Sequence, residues 1–151
     1  MMKKLFIIFF SIANLLLADL NEDLTSAIEN NNYNSVLTLL KKGAKVNPTE
    51  EYWDKKPIFY AVDTAGFQNL DKEESIKYIE TKVKIIDLLI SKGASVNEIY
   101  NDGGRYSEDI SLFDTITNPR IAEYVAKKGV KFSSLLEASV AKIENSKVEE
   151  I

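Results

Sequence analysis

Leu89-Ile90-Ser91-Lys92-Gly93-Ala94-Ser95-Val96-Asn97 is the stretch that organises this chain, because related copies lie on both sides of it. The earlier copy reads Leu39-Leu40-Lys41-Lys42-Gly43-Ala44-Lys45-Val46-Asn47, and the weaker later copy reads Val125-Ala126-Lys127-Lys128-Gly129-Val130-Lys131-Phe132. Each copy, called a stop motif below, combines an apolar helix face, lysine in the last helical turn and a glycine able to take the left-handed conformation that ends a helix. The pattern predicts three helices that stop at these glycines.

A shorter apolar pattern lies upstream of each stop motif. It reads Leu24-Thr25-Ser26-Ala27, then Ile58-Phe59-Tyr60-Ala61, then Ile110-Ser111-Leu112-Phe113, in which a bulky residue takes the small fourth position. Residues three apart share one face of a helix, and a small side chain there lets a partner helix approach closely. We therefore predict three units, each with a short first helix, a turn, a second helix and a glycine stop.

The predicted unit resembles the ankyrin repeat, which has about 33 residues and contains a β-turn and two antiparallel helices. Asp54-Lys55-Lys56-Pro57-Ile58-Phe59-Tyr60-Ala61 resembles the family's opening Gly-x-Thr-Pro-Leu-His-x-Ala, although the Gly, Thr and His are missing. The resemblance implies an all-α helix-turn-helix solenoid with repeats at about 20–47, 54–97 and 105–133 and a closing C-terminal helix at 134–144. It also implies a module that binds proteins without catalysis, through its concave face and its turn tips.

The second unit is longer than the other two. The stop glycines are separated by 50 and 36 residues. Because 35 residues separate Ile58 from Gly93, against 19 for the same interval in each of the other units, 16 residues are inserted inside the second unit. Apolar residues at helical spacing predict one extended second helix from Asp71 to Lys92, on the order of 30 Å long at 1.5 Å per residue. The extra turns have two interpretations: they lengthen the core, or they form a partner surface together with Phe67 and Tyr78.

Residues 1–18 have the pattern of a secretory signal peptide, in which Lys3 and Lys4 precede an apolar stretch and the small Ala18 precedes an acidic segment. The apolar stretch is shorter than the roughly 20 residues that span a bilayer. We expect cleavage after Ala18 and export to the periplasm or beyond, with no membrane span in the mature chain. The repeat domain then covers 19–144, and residues 145–151 form a frayed tail.

Composition excludes several classes of chemistry. The chain has no cysteine and no histidine, and therefore lacks disulfides, the commonest zinc and haem ligands and the commonest general base. We expect no catalytic residue, no metal and no cofactor. The net charge is −4, and the part after Ala18 holds 17 basic and 23 acidic residues. Such acidity disfavours nucleic acid and anionic membrane surfaces and favours a protein partner with a basic surface.

Aromatic residues and one arginine lie in and beside the two predicted turns between units. Trp, Tyr and Arg are common at the centres of interfaces because they combine large contact area with a polar group. The predicted partner-binding residues are Tyr52, Trp53, Phe59, Tyr60, Tyr100, Arg105 and Tyr106. Tyr52 and Trp53 have an alternative role, which is to cover the end of the preceding repeat.

The sequence thus predicts an exported, monomeric protein-binding module. A specific version is an inhibitor or immunity protein for a toxin or enzyme that acts in the cell envelope, an analogy from fold and compartment. One alternative is an accessory or scaffold protein that supports an envelope enzyme. Another is an enzyme with a carboxylate site that no motif reveals.

Overall fold

The computed structural model describes residues 20–48, 55–65, 70–101, 103 and 109–130. Helix α1 covers 20–29, and it is followed by α2 (Tyr33–Lys42), α3 (Pro57–Val62), α4 (Lys72–Ser91), strands β1 (Ile99–Asn101) and β2 (Asp109–Ser111), a 3-10 helix (Phe113–Thr115) and α5 (Pro119–Lys127). This part of the chain is mostly helical, as the sequence predicts, with one small antiparallel sheet. The predicted signal peptide, closing helix and tail lie outside the described residues.

The extended helix predicted for the second unit is confirmed as α4. It begins with a reciprocal capping box, in which Asp71 Oδ1 accepts from the backbone N–H of Glu74 at 2.8 Å and Glu74 Oε2 accepts from the backbone N–H of Asp71 at 3.2 Å. Such a box satisfies N–H groups that the first turn leaves without partners. The helix ends at Ser91, and its C-cap residue Lys92 directly precedes the stop glycine.

The three stop glycines all adopt the predicted left-handed conformation. Their φ angles are +105° at Gly43, +98° at Gly93 and +89° at Gly129. The next backbone N–H turns back on the helix in the first two motifs, where Ala44 donates to the carbonyl of Leu39 and Ala94 to that of Leu89, each at 3.0 Å. These bonds satisfy carbonyl groups at the helix end.

Side-chain amides link each stop motif to the following one. Asn47 Nδ2 donates to the carbonyl oxygen of Gly93 at 3.2 Å, and Asn97 Nδ2 donates to the carbonyl oxygen of Gly129 at 3.3 Å. Donor and acceptor occupy the same motif positions in both bonds. Equivalent hydrogen bonds therefore connect the three stop motifs in sequence order.

The prediction of a helix at Ile110-Ser111-Leu112-Phe113 is wrong. Residues 109–111 form β2, which pairs antiparallel with β1, and the 3-10 helix starts only at Phe113. The reason is a local hydrogen-bonded pair that starts the helical turn later: Ser111 Oγ donates to Asp114 Oδ2 at 2.6 Å and accepts from the backbone N–H of Asp114 at 3.3 Å. Pro119 then opens α5, which leaves room for only one short turn between them.

One hydrophobic cluster takes residues from all five α-helices, and half-buried Tyr100 of β1 and Phe113 of the 3-10 helix pack against it. Its fully buried members include Leu24 and Ile28 of α1, Ile58 of α3, Leu89 of α4 and Ile121 of α5. No helix in the described part of the chain is both long and apolar enough to cross a bilayer.

Gly93→Ala is expected to lower the free energy of unfolding by about 1–2 kcal/mol, because an L-residue is strained at this φ. An added Cβ would meet nothing within 4 Å, so the loss isolates backbone strain from any clash. Urea denaturation followed by circular dichroism measures the change. Gly93→Asn is the control and should lose less, since Asn tolerates left-handed conformations better. Equal stability of Gly93→Ala and the unmodified protein would contradict the cap.

Candidate functional site

The structure describes three of the seven predicted partner-binding residues. Tyr52, Trp53, Arg105 and Tyr106 lie outside the described residues. Phe59 and Tyr60 lie on α3, and Tyr100 lies on β1. The assignment can therefore be examined at the base of the second predicted turn and on the short helix beneath it.

Phe59, one of the predicted partner-binding residues, lies in the hydrophobic core. Its side chain is 0% exposed, so it has no surface to offer a partner. The edge-on contact between its ring and that of Tyr100, with ring centres 4.8 Å apart at 78°, is a favourable arrangement for two aromatic rings. Phe59 thus packs against β1 from α3, and half-buried Tyr100 anchors β1 to this helix.

An ion pair fixes the same junction. Lys56 Nζ donates to Glu98 Oε2 at 2.5 Å, and the two side chains are only 21% and 16% exposed. Lys56 is the N-cap residue of α3, and Glu98 precedes β1 directly. Since Phe59 and Tyr100 make a second contact between these elements, the hairpin is held on α3 at two points.

Lys82 of α4 is a buried cation that sequence reasoning missed. It is 1% exposed, and its Nζ donates to the carbonyl oxygens of Ile28 at 3.3 Å and Tyr60 at 3.1 Å. Both carbonyls belong to the last turns of short helices, α1 and α3, where carbonyls lack intrahelical partners. That of Ile28 also accepts from the backbone N–H of Asn31 at 3.0 Å. The ammonium group thus joins the ends of α1 and α3.

Burial lowers the pKa of Lys82, while the carboxylates of Asp63 and Glu29 oppose that shift. A sequence signal for this residue existed. Lys82 lies three residues after buried Ile79 and three before buried Ile85, on the packed face of an amphipathic helix. A lysine at such a position needs internal acceptors.

A cavity of about 160 Å³ opens beside Lys82. Its lining residues are Glu29, Tyr60, Asp63, Ala65, Tyr78 and Lys82, and we call it the tyrosine–carboxylate cavity. Tyr60 was predicted as a partner-binding residue, and Tyr78 was predicted as part of a partner surface on the insertion. The fold brings the two together. Burial, and to a lesser extent the Asp63 carboxylate, raises the pKa of Tyr78.

The N-terminal turns of α4 pack on the first unit. Ile79 is buried, and Asn31 Nδ2, from the loop between α1 and α2, donates to the carbonyl oxygen of Tyr78 at 3.0 Å. Ile76, in contrast, is 39% exposed. The insertion therefore lengthens the core through Ile79 and Lys82. Its second role, as a partner surface, stays a prediction, and Phe67 lies outside the described residues.

A second polar cluster joins α4 to α5. Asp87 Oδ1 accepts from Tyr124 Oη at 2.6 Å and from Lys128 Nζ at 2.7 Å. Both hydrogen bonds lower the pKa of Asp87, and the bond from Lys128 has the larger effect. The cluster is partly exposed and ties α4 to α5. Within the ranges that the structure describes, no group of three or more acidic residues is placed to hold a metal ion.

A scan against models of known protein families finds none that matches this chain, and a search of curated proteins finds no significant match.

Proposed function

We propose that this chain is an exported, non-catalytic module that binds another protein through an ankyrin-like solenoid. Its specific role is to inhibit or neutralise a toxin or enzyme that acts in the cell envelope. The binding surface is formed by the inter-unit turns, with Tyr52, Trp53, Arg105 and Tyr106 as anchors and Tyr100 at the base of the second turn.

The observation that carries this proposal is the repetition of one contact between units. The bonds from Asn47 to Gly93 and from Asn97 to Gly129 join the same motif positions across successive units. Solenoids are built in this way, because each unit contacts its neighbours and presents its turns along one side. The repeated bond between stop motifs supports a binding surface formed by successive turns that lie side by side.

The base of the second turn is fixed on α3. It is held by the Lys56–Glu98 ion pair and by the contact of Tyr100 with Phe59. A binding element whose base is fixed before binding loses less conformational entropy when a partner binds.

We expect the turn variant Trp53→Ala with Tyr106→Ala to bind the partner at least about tenfold more weakly, a change of 1.4 kcal/mol or more, as hot-spot truncations do. The partner is captured from an envelope extract with immobilised protein, purified, and titrated by calorimetry against each variant. Tyr124→Ala is the matched control, because it removes an aromatic side chain from the outer helix α5 and should leave the affinity unchanged.

Circular dichroism of all variants excludes unfolding as the cause of lost binding. Equal affinity of the turn variant and the unmodified protein would overturn the proposed surface. The activity of the purified partner, measured with and without the module, tests the inhibitory role. Unchanged or raised partner activity would instead favour a scaffold.

A further inference from the structure

The tyrosine–carboxylate cavity is electrostatically negative, although a lysine lines it. Glu29 is the last residue of α1, and Asp63 is the C-cap residue of α3, so two carboxylates and two negative helix ends face the same space. Two ammonium groups oppose them: Lys82, which donates to the carbonyls of Ile28 and Tyr60, and Lys55, which lies over the ring of Tyr60. The two carboxylates balance these charges, and the helix ends add about half a negative charge each, which favours a further cation.

The aromatic rings of the cavity already contact ammonium groups of this chain. Lys55 Nζ lies 4.6 Å from the ring centre of Tyr60, and Lys82 Nζ lies 5.8 Å from that of Tyr78. A cation within about 6 Å of a ring centre is attracted to the ring face. Both rings therefore lie where they attract cations, as the two lysines of this chain show.

The size of the cavity limits what it can hold. Pockets for drug-sized ligands and cofactors measure roughly 300–1,000 Å³, whereas this one measures about 160 Å³. One side chain fits such a volume better than a cofactor does. Arginine suits the lining best, because its planar guanidinium stacks on aromatic rings and forms paired hydrogen bonds with carboxylates.

We infer that the tyrosine–carboxylate cavity receives an arginine side chain of the protein partner, held by Glu29 and Asp63 and stacked against Tyr60 and Tyr78. The inference rests on the proposed function of protein binding and specifies the chemistry of the partner. It agrees with the net charge of −4, which favours a basic surface opposite. Lys82 is a positioning residue, since it holds the ends of α1 and α3 together at the cavity.

The test is a titration of the ¹⁵N-labelled protein with the peptide acetyl-Gly-Arg-Gly-amide, followed by nuclear magnetic resonance. We expect saturable shifts at the backbone amides of Glu29, Asp63 and Ala65. Ala65 is a sensitive reporter because its N–H donates to Asp63 Oδ1 at 2.9 Å. The same peptide with citrulline in place of arginine is neutral and nearly identical in shape, and should give no saturable shift at these positions.

The variant Glu29→Gln with Asp63→Asn removes both charges and keeps the side-chain shapes. It should bind the arginine peptide at least about tenfold more weakly. The control variant Glu22→Gln with Glu80→Gln makes the same change of charge at exposed positions outside the cavity lining, and should bind like the unmodified protein. Equal binding of the citrulline peptide, or undiminished binding by the Glu29→Gln/Asp63→Asn variant, would overturn the inference.

The cavity and the proposed function fail in different experiments. If the purified partner binds the Glu29→Gln/Asp63→Asn variant as tightly as the unmodified protein, the role of the cavity in partner binding is overturned while protein binding stands. If the Trp53→Ala/Tyr106→Ala variant keeps full affinity and the cavity variant loses about tenfold, the cavity is supported and the turn surface fails.

Discussion

Phe59→Ala is expected to lower the free energy of unfolding by about 3–5 kcal/mol, the usual range for removal of a buried phenylalanine ring. The ring is fully buried in the shared core, and its loss also removes the edge-on contact that anchors Tyr100. The measurement is urea denaturation followed by circular dichroism. Such a loss is a large part of the stability of a small domain, which is about 5–15 kcal/mol.

Phe59→Leu makes the prediction measurable even if Phe59→Ala does not fold. It keeps most of the apolar volume and should lose about 1–2 kcal/mol. Tyr60→Ala, at the adjacent half-buried position, is the control and should lose less than Phe59→Ala. A Phe59→Ala variant as stable as the unmodified protein would show that the ring is not part of the core.

Lys82→Met is expected to lower the free energy of unfolding by about 1–3 kcal/mol, because it removes the donor that bridges the carbonyls of Ile28 and Tyr60, while the Ile28 carbonyl keeps its bond from the backbone N–H of Asn31. Methionine retains the apolar stem, so the change reports mainly on the ammonium group. The variant no longer pays for burying a charged ammonium group, and this gain offsets part of the lost stability. Lys84→Met, at an exposed position of the same helix, is the control and should stay within about 0.5 kcal/mol of the unmodified protein. A Lys82→Met variant as stable as this control would contradict the bridging role.

The stability difference between the unmodified protein and Lys82→Met should also depend on pH. Burial lowers the pKa of Lys82 below its ordinary value of 10.5, while Asp63 and Glu29, which face it from α3 and α1, oppose the shift. Between the lowered pKa and 10.5, the unfolded chain binds more protons at this lysine than the folded chain does. Stability of the unmodified protein relative to Lys82→Met therefore rises with pH through this window. Denaturation curves at a series of pH values approaching 10.5 check the sign, and a falling difference would contradict it.

Local features of the chain were predictable because their causes lie within a few residues. The glycine stops depend on backbone conformation at one position and on hydrogen bonds to the turn before it. The capping box at Asp71 and the length of α4 likewise follow from short-range spacing. The failure at Ile110 is informative, because the same short-range logic, applied to Ser111 and Asp114, explains the later helix start.

Contacts between segments that are distant in sequence could not be predicted from the spacing of residues along the chain. Phe59 belongs to the aromatic set beside a turn, yet packing of α3 under β1 buries it completely. Lys82 contacts Ile28, 54 positions earlier, and the cavity beside it gathers residues from α1, α3 and α4. Helix boundaries can be predicted from the sequence because the hydrogen bonds that set them are local. Which side chains are buried, and which charged groups lie close together, depends instead on how the helices pack. That packing turns two separate sequence hypotheses, on Tyr60 and on Tyr78, into one candidate site.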